Sequence, residues 1–186
     1  MSQESGDKTP MNENKPTYFG DLNKVPHWYA LRTKYRHEKK VDNRLQEKGL
    51  TSYLPLNTVY HKWSDRQKKI TVPLFSCYVF VYMIMKDQLR ILQTDGAVNL
   101  VSFNGKPSPI PENQIDAIKL VLGEKNTVEQ VRSFTPGKKV RIKQGVFKGL
   151  EGVLVENKNN YRFVICIDSI NQGIALDIGM KDLELV

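Results

Sequence analysis

The chain of 186 residues has only two cysteines, Cys77 and Cys166, and each lies in an apolar stretch. A disulfide framework and a zinc site of four cysteines are therefore excluded, and both thiols are expected to be buried and reduced. No apolar run reaches the roughly 18 to 20 residues of a membrane-spanning helix, and the N-terminus lacks the apolar stretch of a secretory signal. We therefore expect a cytoplasmic protein that does not enter a membrane.

Sequence motifs of enzymes are also lacking. The three histidines, His27, His37 and His61, have no cysteine or carboxylate at the spacing of metal ligands. Neither a phosphate-binding loop nor a Gly-x-Ser-x-Gly motif occurs. Cys77 alternates with apolar residues, and no basic residue adjoins it in the sequence. These absences predict a protein without catalytic residues, metal or cofactor.

Positive charge is concentrated in one part of the chain. Residues 28–85 contain 11 Lys and Arg against four Asp and Glu, which is +7 of the total net charge of +8. Residues 1–27 contribute −1, residues 86–135 are neutral and residues 136–186 contribute +2. A basic block of this kind is typical of a nucleic-acid partner, although a solubilising surface has the same composition.

Composition and periodicity divide the chain into four segments. Residues 1–26 are polar and lack an apolar period, so we expect a disordered leader. Residues 27–122 predict the order β-α-β-β-β-α-β-α, an α+β sandwich in which helices cover an antiparallel sheet. Residues 123–133 form a predicted linker. Residues 134–186 contain five short strands that predict a small barrel.

The strand at residues 77–82 is the strongest of these predictions. Alternation places Tyr78, Phe80 and Tyr82 on one face of the sheet, opposite Cys77, Val79 and Val81. Aromatic side chains are enriched at binding hot spots, so the aromatic face is a candidate docking surface. The same pattern is equally compatible with a strand that is buried on both faces.

A predicted helix follows the first strand and has two ridges. Arg36, Lys40 and Arg44 recur every four residues, which spaces cations about 6 Å apart along one ridge. His37, Val41 and Leu45 form the other ridge. The cations suit a strand of nucleic acid lying alongside, but a solvated helix face shows the same spacing. A rival basic site is predicted at a hairpin tip, with Lys62, Arg66, Lys68 and Lys69.

These residues resemble the NusG family of transcription elongation factors. The N-terminal half is similar to the family's NGN domain at residues 28–31, 73–81 and 101–103. The C-terminal half is similar to a KOW domain at residues 136–142 and 145–149, where glycines flank Phe147. Residues 53–81 are most similar to the specialised RfaH and UpxY types, which serve surface-polysaccharide operons. Ser76-Cys77 stands where the family usually has Pro followed by Gly or Asn.

The resemblance implies a monomer with an NGN-type sandwich and an SH3-like KOW barrel. It implies a surface for the clamp helices of RNA polymerase, lined by Ala30, Tyr78, Phe80, Leu100 and Phe103. It also implies that a second set approaches the non-template DNA of the transcription bubble, namely Lys34, Arg36, His37, Lys40 and Arg44. Phe147 would belong to a KOW surface for a ribosomal protein or a termination factor.

The expected function is therefore transcription elongation and antitermination without catalysis. Such a factor would promote processive transcription, here of a capsular or exopolysaccharide operon. The alternative is a basic KOW-containing module that binds RNA or the ribosome. The aromatic face separates these two hypotheses, since a protein that binds only RNA needs no apolar docking site for helices.

Overall fold

The structure is a computed structural model that describes residues 22–62, 67–124, 128–132, 135, 137–157 and 160–186. The predicted disordered leader lies outside the described residues up to residue 21. Residues 22–26 lead into the first strand, and the carbonyl of Leu22 accepts a hydrogen bond from the Met85 N–H at 3.0 Å. The predicted cations Lys62, Arg66 and Lys68 at the hairpin tip also lie outside the described side chains.

The N-terminal half mixes strands and helices in the predicted order, with several short strands in addition. Its elements are β1 (His27–Thr33), α1 (Glu38–Glu47), β2 (Thr51–Tyr53), β3 (Leu56–Lys62), β4 (Gln67–Pro73), β5 (Tyr78–Met83), α2 (Gln88–Leu92), β6 (Ala97–Leu100), β7 (Ser102–Phe103), β8 (Lys106–Pro107), β9 (Pro109–Ile110) and α3 (Glu112–Gly123). The main sheet is antiparallel with the order β2-β5-β1-β6, and β9 also pairs with β1. The pairs β3–β4 and β7–β8 are separate hairpins.

One face of this sheet packs against α1. Leu31 and Val79 are paired residues of β1 and β5, and both are fully buried in a cluster with Val41 and Leu45 of α1. The spacing of Val41 and Leu45 by four residues places both on the same side of the helix. Val41 and Leu45, whose spacing predicts α1 from the sequence, are thus the residues that pack the helix against the sheet.

The opposite face of the sheet is covered by α3. Ala30 of β1 and Phe80 of β5 are directly paired, and both have no exposed surface. They belong to a cluster that contains Ile115 and Ile118 of α3. The predicted alternation is therefore confirmed from Tyr78 to Tyr82, and Phe80 lies in the core. The prediction that Cys77 belongs to this strand is wrong, because Cys77 has a φ of 66° in the turn before β5.

The C-terminal half is a six-stranded antiparallel sheet. Its strands are β10 (Glu129–Arg132), β11 (Lys139–Ile142), β12 (Glu151–Asn157), β13 (Asn160–Ile167), β14 (Gln172–Leu176) and β15 (Leu183–Leu185), in the order β10-β14-β13-β12-β11-β15. The five predicted strands correspond to β11 to β15. The sixth, β10, lies within the predicted linker 123–133. Pairing among the described strands runs from β10 to β15 without joining these two ends, so closure into a barrel stays a prediction.

Helix α3 lies between the two halves. Its other side packs against β13, and its Ile115 belongs to the same buried cluster as Phe163 and Ile165 of β13. Gln114 donates a hydrogen bond to the carboxylate of Asp168 at 2.7 Å and accepts one from the Asp168 backbone N–H at 3.3 Å. The helix is therefore part of both packing interfaces.

Candidate nucleic-acid and protein interface

The turn that precedes α1 carries the first group of predicted DNA-binding residues. The Lys34 N–H donates to the Gly96 carbonyl at 2.9 Å, and the His37 N–H donates to the Lys34 carbonyl at 3.1 Å. Arg36 has a φ of 61°, and α1 begins only at Glu38. The prediction that Arg36 continues the helical ridge of Lys40 and Arg44 is therefore wrong, because its left-handed backbone takes it out of the helix.

Gly96 fixes the position of this turn. Its φ is 97°, and a Cβ atom at this position would lie 2.8 Å from Cγ2 of Val41 and 3.2 Å from Cβ of His37. Such contacts are too close for ordinary packing, so the approach of the Gly96 backbone to α1 requires glycine. The hydrogen bond from Lys34 to Gly96 then holds the basic turn beside the helix.

The predicted DNA-binding residues differ in accessibility. Lys34 and Arg36 are exposed, and His37 is half-buried at the start of α1. The side chains of Lys40 and Arg44 are 52% and 35% exposed. Four of the five, all except His37, thus carry a cation to the surface of the turn and of α1, with Arg44 in the last turn of the helix.

Asp95 is a member of this site that the sequence did not indicate. Its carboxylate lies 2.5 Å from Nη1 of Arg44 and 3.5 Å from Nζ of Lys40. The hydrogen bond from Arg44 and the charges of Arg44 and Lys40 lower the pKa of Asp95. Asp95 is 51 residues from Arg44, so only the pairing of β1 with β6 and the turn before β6 bring them together. The carboxylate competes with any phosphate for these two cations.

Three of the five predicted polymerase-binding residues are inaccessible. Ala30 and Phe80 are fully buried under α3, and Leu100 is 3% exposed on the α1 side of the sheet. They do not form one surface, since Leu100 belongs to a different core cluster from the other two. Ala30, Phe80 and Leu100 are therefore not part of the candidate surface. Tyr78 is half-buried, and Phe103 is 74% exposed on the β7–β8 hairpin.

A row across the sheet gives Tyr78 two exposed neighbours. Arg32 of β1 pairs with Tyr78 of β5 on one side and with Asn99 of β6 on the other. Directly opposite residues in antiparallel strands project from the same face of a sheet. Arg32 and Asn99 are exposed, so this end of the sheet presents a tyrosine, an arginine and an amide to solvent. Tyr and Arg are both enriched at binding hot spots.

Tyr78 packs against a buried cluster that contains several aromatic rings. The ring of Phe80 contacts Phe75 edge to face at 5.9 Å and stacks with Tyr53 at 6.5 Å. Nζ of Lys119 on α3 lies over the rings of Trp28 and Tyr53, 4.9 and 5.7 Å from their centroids. Burial raises the pKa of Tyr53 to about 12, so its hydroxyl stays neutral at physiological pH. The cluster is thus packed, and its members are structural.

The predicted KOW residue Phe147 is only half-exposed. It packs against the buried cluster that contains the C-terminal strands, whereas its neighbour Val146 is 67% exposed. The glycines on either side of this loop, Gly145 and Gly149, both have a positive φ. Val146 therefore presents more apolar surface to a partner than Phe147 does.

The clustering of possible metal ligands and the state of Cys166 can be described directly. Within them, no three His, Cys, Asp or Glu side chains come together as metal ligands would. Cys166 lines a cleft of about 1000 Å³ between the halves, and burial raises the pKa of its thiol to about 12. The thiol is therefore protonated at neutral pH. In the described part of the chain, no helix is both long and apolar enough to cross a membrane.

Comparison with known proteins gives consistent matches. A family model described as "Transcription termination factor nusG" matches residues 26–119. The transcription termination/antitermination protein NusG of Streptococcus pyogenes is 31% identical over 72% of this chain and 82% of its own length. NusG of Lactococcus lactis is 26% identical over 84% of this chain and 91% of its own length.

One solved structure also matches most of this chain. It is described as "Domain interaction in Thermotoga maritima NusG", and it covers 87% of this chain and 97% of its own chain. Its sequence identity to this chain is 22%, and its TM-score is 0.49.

The family model spans half of the present chain, and the streptococcal relative exceeds 30% identity over most of both sequences. The chain therefore belongs to the NusG family of transcription termination/antitermination factors.

Proposed function

We propose that this protein binds transcribing RNA polymerase and the non-template DNA strand together, and so promotes processive transcription. The observation that carries the proposal is the exposed cationic turn at residues 34–36, which lies at the end of the β1 strand that also contributes Arg32. The proposed protein-binding row and the proposed phosphate-binding turn are thus neighbours, because Arg32 lies near the end of β1 and the turn directly follows β1. One rigid element can therefore align two partners.

The polymerase surface in this proposal is the row of Tyr78, Arg32 and Asn99 with Phe103 nearby in the chain. Asn99 and Phe103 are four residues apart, so they lie within about 14 Å of each other. Phe103 is the most exposed large apolar residue of the described chain at 74%. Phe, Tyr and Arg are residue types that are enriched at protein interfaces, and Tyr and Arg are enriched at hot spots.

The DNA surface consists of Lys34, Arg36 and Lys40, with Arg44 held by Asp95. Cations position a phosphate backbone without reading its sequence. If three of them contact phosphates, the single-strand rule of about −0.7 per contact predicts a log-log salt slope near −2. The exposed residue Lys69 belongs to the rival basic site on the hairpin, and crosslinks of non-template DNA confined to that hairpin would contradict the assignment of the DNA surface to Lys34, Arg36 and Lys40.

Binding energy alone explains how such a protein would act. A factor that binds the elongating state of polymerase more tightly than the paused state shifts the equilibrium by the difference in affinity. No catalytic step is needed.

The resemblance of residues 53–81 to the RfaH and UpxY types supports a specialised role on a capsular or exopolysaccharide operon. The loop with Val146 and Phe147 is the proposed contact for a ribosomal protein or a termination factor.

The test is a pull-down of elongation complexes combined with transcript mapping. We expect Tyr78→Ala with Phe103→Ala to weaken polymerase binding, since truncation of a hot spot costs about 2 kcal/mol or more. The matched control is Tyr161→Ala, which truncates a tyrosine that is 57% exposed in the C-terminal half. Unchanged polymerase affinity in a folded Tyr78→Ala, Phe103→Ala variant would contradict the proposed surface.

Phe80→Ala tests whether Phe80 is a core residue, in contrast to the proposed surface residues Tyr78 and Phe103. Because Phe80 is fully buried between the sheet and α3, its truncation should reduce the free energy of unfolding by about 3–5 kcal/mol. The Tyr78 and Phe103 variants should keep most of their stability, as measured by urea denaturation. A stable Phe80→Ala variant that loses polymerase binding would show instead that Phe80 belongs to the binding surface.

A further inference from the structure

Tyr35 is exposed at the centre of the basic turn. Its side chain is 65% exposed, and the guanidinium carbon of Arg36 lies 5.2 Å from the centre of its ring. Isolated aromatic residues on protein surfaces are common and need no explanation by themselves. This ring differs because its two neighbours in sequence, Lys34 and Arg36, are both exposed cations.

The turn that carries Tyr35 has a defined geometry. Hydrogen bonds tie Lys34 to Gly96 and His37 to Lys34, and Nδ1 of His37 donates to the Tyr35 carbonyl at 3.1 Å. Arg36 adopts a left-handed backbone that L side chains disfavour. The backbone on both sides of Tyr35 is therefore fixed, and the ring that it carries is exposed to solvent.

An aromatic ring among cations is the arrangement that binds single-stranded nucleic acid. Cations hold the phosphates while bases stack on aromatic rings, and an arginine plane can take part in the stack. We propose that Tyr35, assisted by Arg36, is a stacking platform for one unstacked base of single-stranded DNA. The inference rests on the proposed function, in which the non-template strand follows the cations Lys34 and Lys40.

Charge favours this occupant over a protein. An apolar protein surface on Tyr35 would have to desolvate Lys34 and Arg36 without pairing them, which is costly. Single-stranded DNA supplies a phosphate for each cation and a flat base for the ring. Stacking depends on the face of a base and is tolerant of its identity, so the expected preference is for any base over none.

The experiment compares two elongation complexes that differ only in the non-template strand. In one complex the exposed strand consists of thymidines, and in the other it consists of abasic residues with the same number of phosphates. Full-length protein should bind the thymidine complex more tightly by roughly 5- to 150-fold, the range for stacking of one base. Fluorescence anisotropy in competition measures this ratio.

Variants of Tyr35 then test whether its ring causes this ratio of the two affinities. We expect Tyr35→Leu to bring it to about one through weaker binding of the thymidine complex, with unchanged binding of the abasic complex. Tyr35→Phe should retain the ratio, as should Tyr161→Leu, the exposed tyrosine in the other half. Tyr35→Gln provides a second non-aromatic variant if the leucine variant does not fold.

The outcomes separate this inference from the proposed function. If the wild-type protein binds both complexes equally well, or if Tyr35→Leu keeps the ratio, the stacking platform is wrong while the proposed function stands. If Tyr35→Leu weakens both complexes equally, Tyr35 contacts protein or supports the turn, and the inference again fails. If the wild-type protein binds neither complex, the proposed function itself is overturned.

Discussion

At the scale of single residues, Cys77 shows how a residue other than glycine is held in a left-handed turn. Its φ is 66°, so the backbone adopts the left-handed conformation that glycine takes without strain. Two hydrogen bonds hold it there. The Cys77 N–H donates to the carboxylate of Glu38 at 2.7 Å, and the Cys77 carbonyl accepts from the Thr33 N–H at 2.8 Å. Glu38 is buried at 4% exposure, so this contact also joins α1 to the turn before β5.

We expect Cys77→Gly to stabilise the protein relative to Cys77→Ala. Both variants lose the thiol, but only glycine relieves the left-handed strain, which costs about 1–2 kcal/mol for an L side chain. The greater freedom of glycine in the unfolded chain offsets about 0.4–1 kcal/mol of this gain. The net difference should be about 0.5–1 kcal/mol in the free energy of unfolding by urea denaturation. A glycine variant less stable than the alanine variant would show that the turn carries no such strain.

At the scale of elements, α1 brings its cations to the surface and partly neutralises them. Asp95 holds Arg44 and Lys40, and its lowered pKa means that this pairing is present at neutral pH and is lost as the pH falls through the lowered value. Asp95→Asn removes the competing charge at constant shape. We expect tighter binding of single-stranded DNA and a salt slope steeper by up to about 0.7 for each cation released.

The control for Asp95→Asn is Asp116→Asn. Asp116 is also exposed and paired, with Lys119 of α3 at 3.0 Å, so both variants change the net charge equally. A local effect predicts that only Asp95→Asn steepens the salt slope, as measured by titration of a labelled oligonucleotide at several salt concentrations. Equal changes in both variants would mean that total charge, and not release of Arg44 and Lys40, determines affinity.

The elements also show where sequence reasoning succeeds. The helices α1 and α3 and the strand β5 follow from apolar periods, because each buries a regularly spaced set of side chains. The conformation of Arg36 could not be predicted, since a left-handed backbone is expected at glycine and nothing local marks the arginine. The contact of Asp95 with Arg44 joins positions 51 residues apart, and β10 has no apolar alternation of its own. These features depend on tertiary pairing.

At the scale of the whole molecule, β10 extends the C-terminal sheet beyond its predicted bounds. It pairs with β14 from Glu129 opposite Ala175 to Arg132 opposite Gln172. Arg162 of β13 adds an ion pair to Glu129 at 2.5 Å. The boundary of an independent C-terminal unit is thus expected near residue 128, several residues before the predicted start at residue 134.

Two fragments test this boundary. We expect residues 128–186 to unfold at a higher temperature than residues 134–186, because the shorter fragment leaves β14 without its neighbour. Circular dichroism should show β structure in both fragments. Equal melting temperatures would mean that β10 contributes nothing to the stability of the unit, and a predominantly helical spectrum would contradict the predicted barrel.

The pairing of β10 also sets how far the two halves can separate. Five residues connect Gly123, the last residue of α3, to Glu129, and they span at most about 21 Å when extended. If β10 leaves β14, the connection runs from Gly123 to Lys139 of β11 and reaches about 56 Å. The volume open to the C-terminal half then grows about twentyfold, and its effective concentration at a site near the N-terminal half falls accordingly. Once the packing of α3 on β13 is also lost, these four residue pairs determine whether two partners, one for each half, must lie side by side or can be captured across a distance.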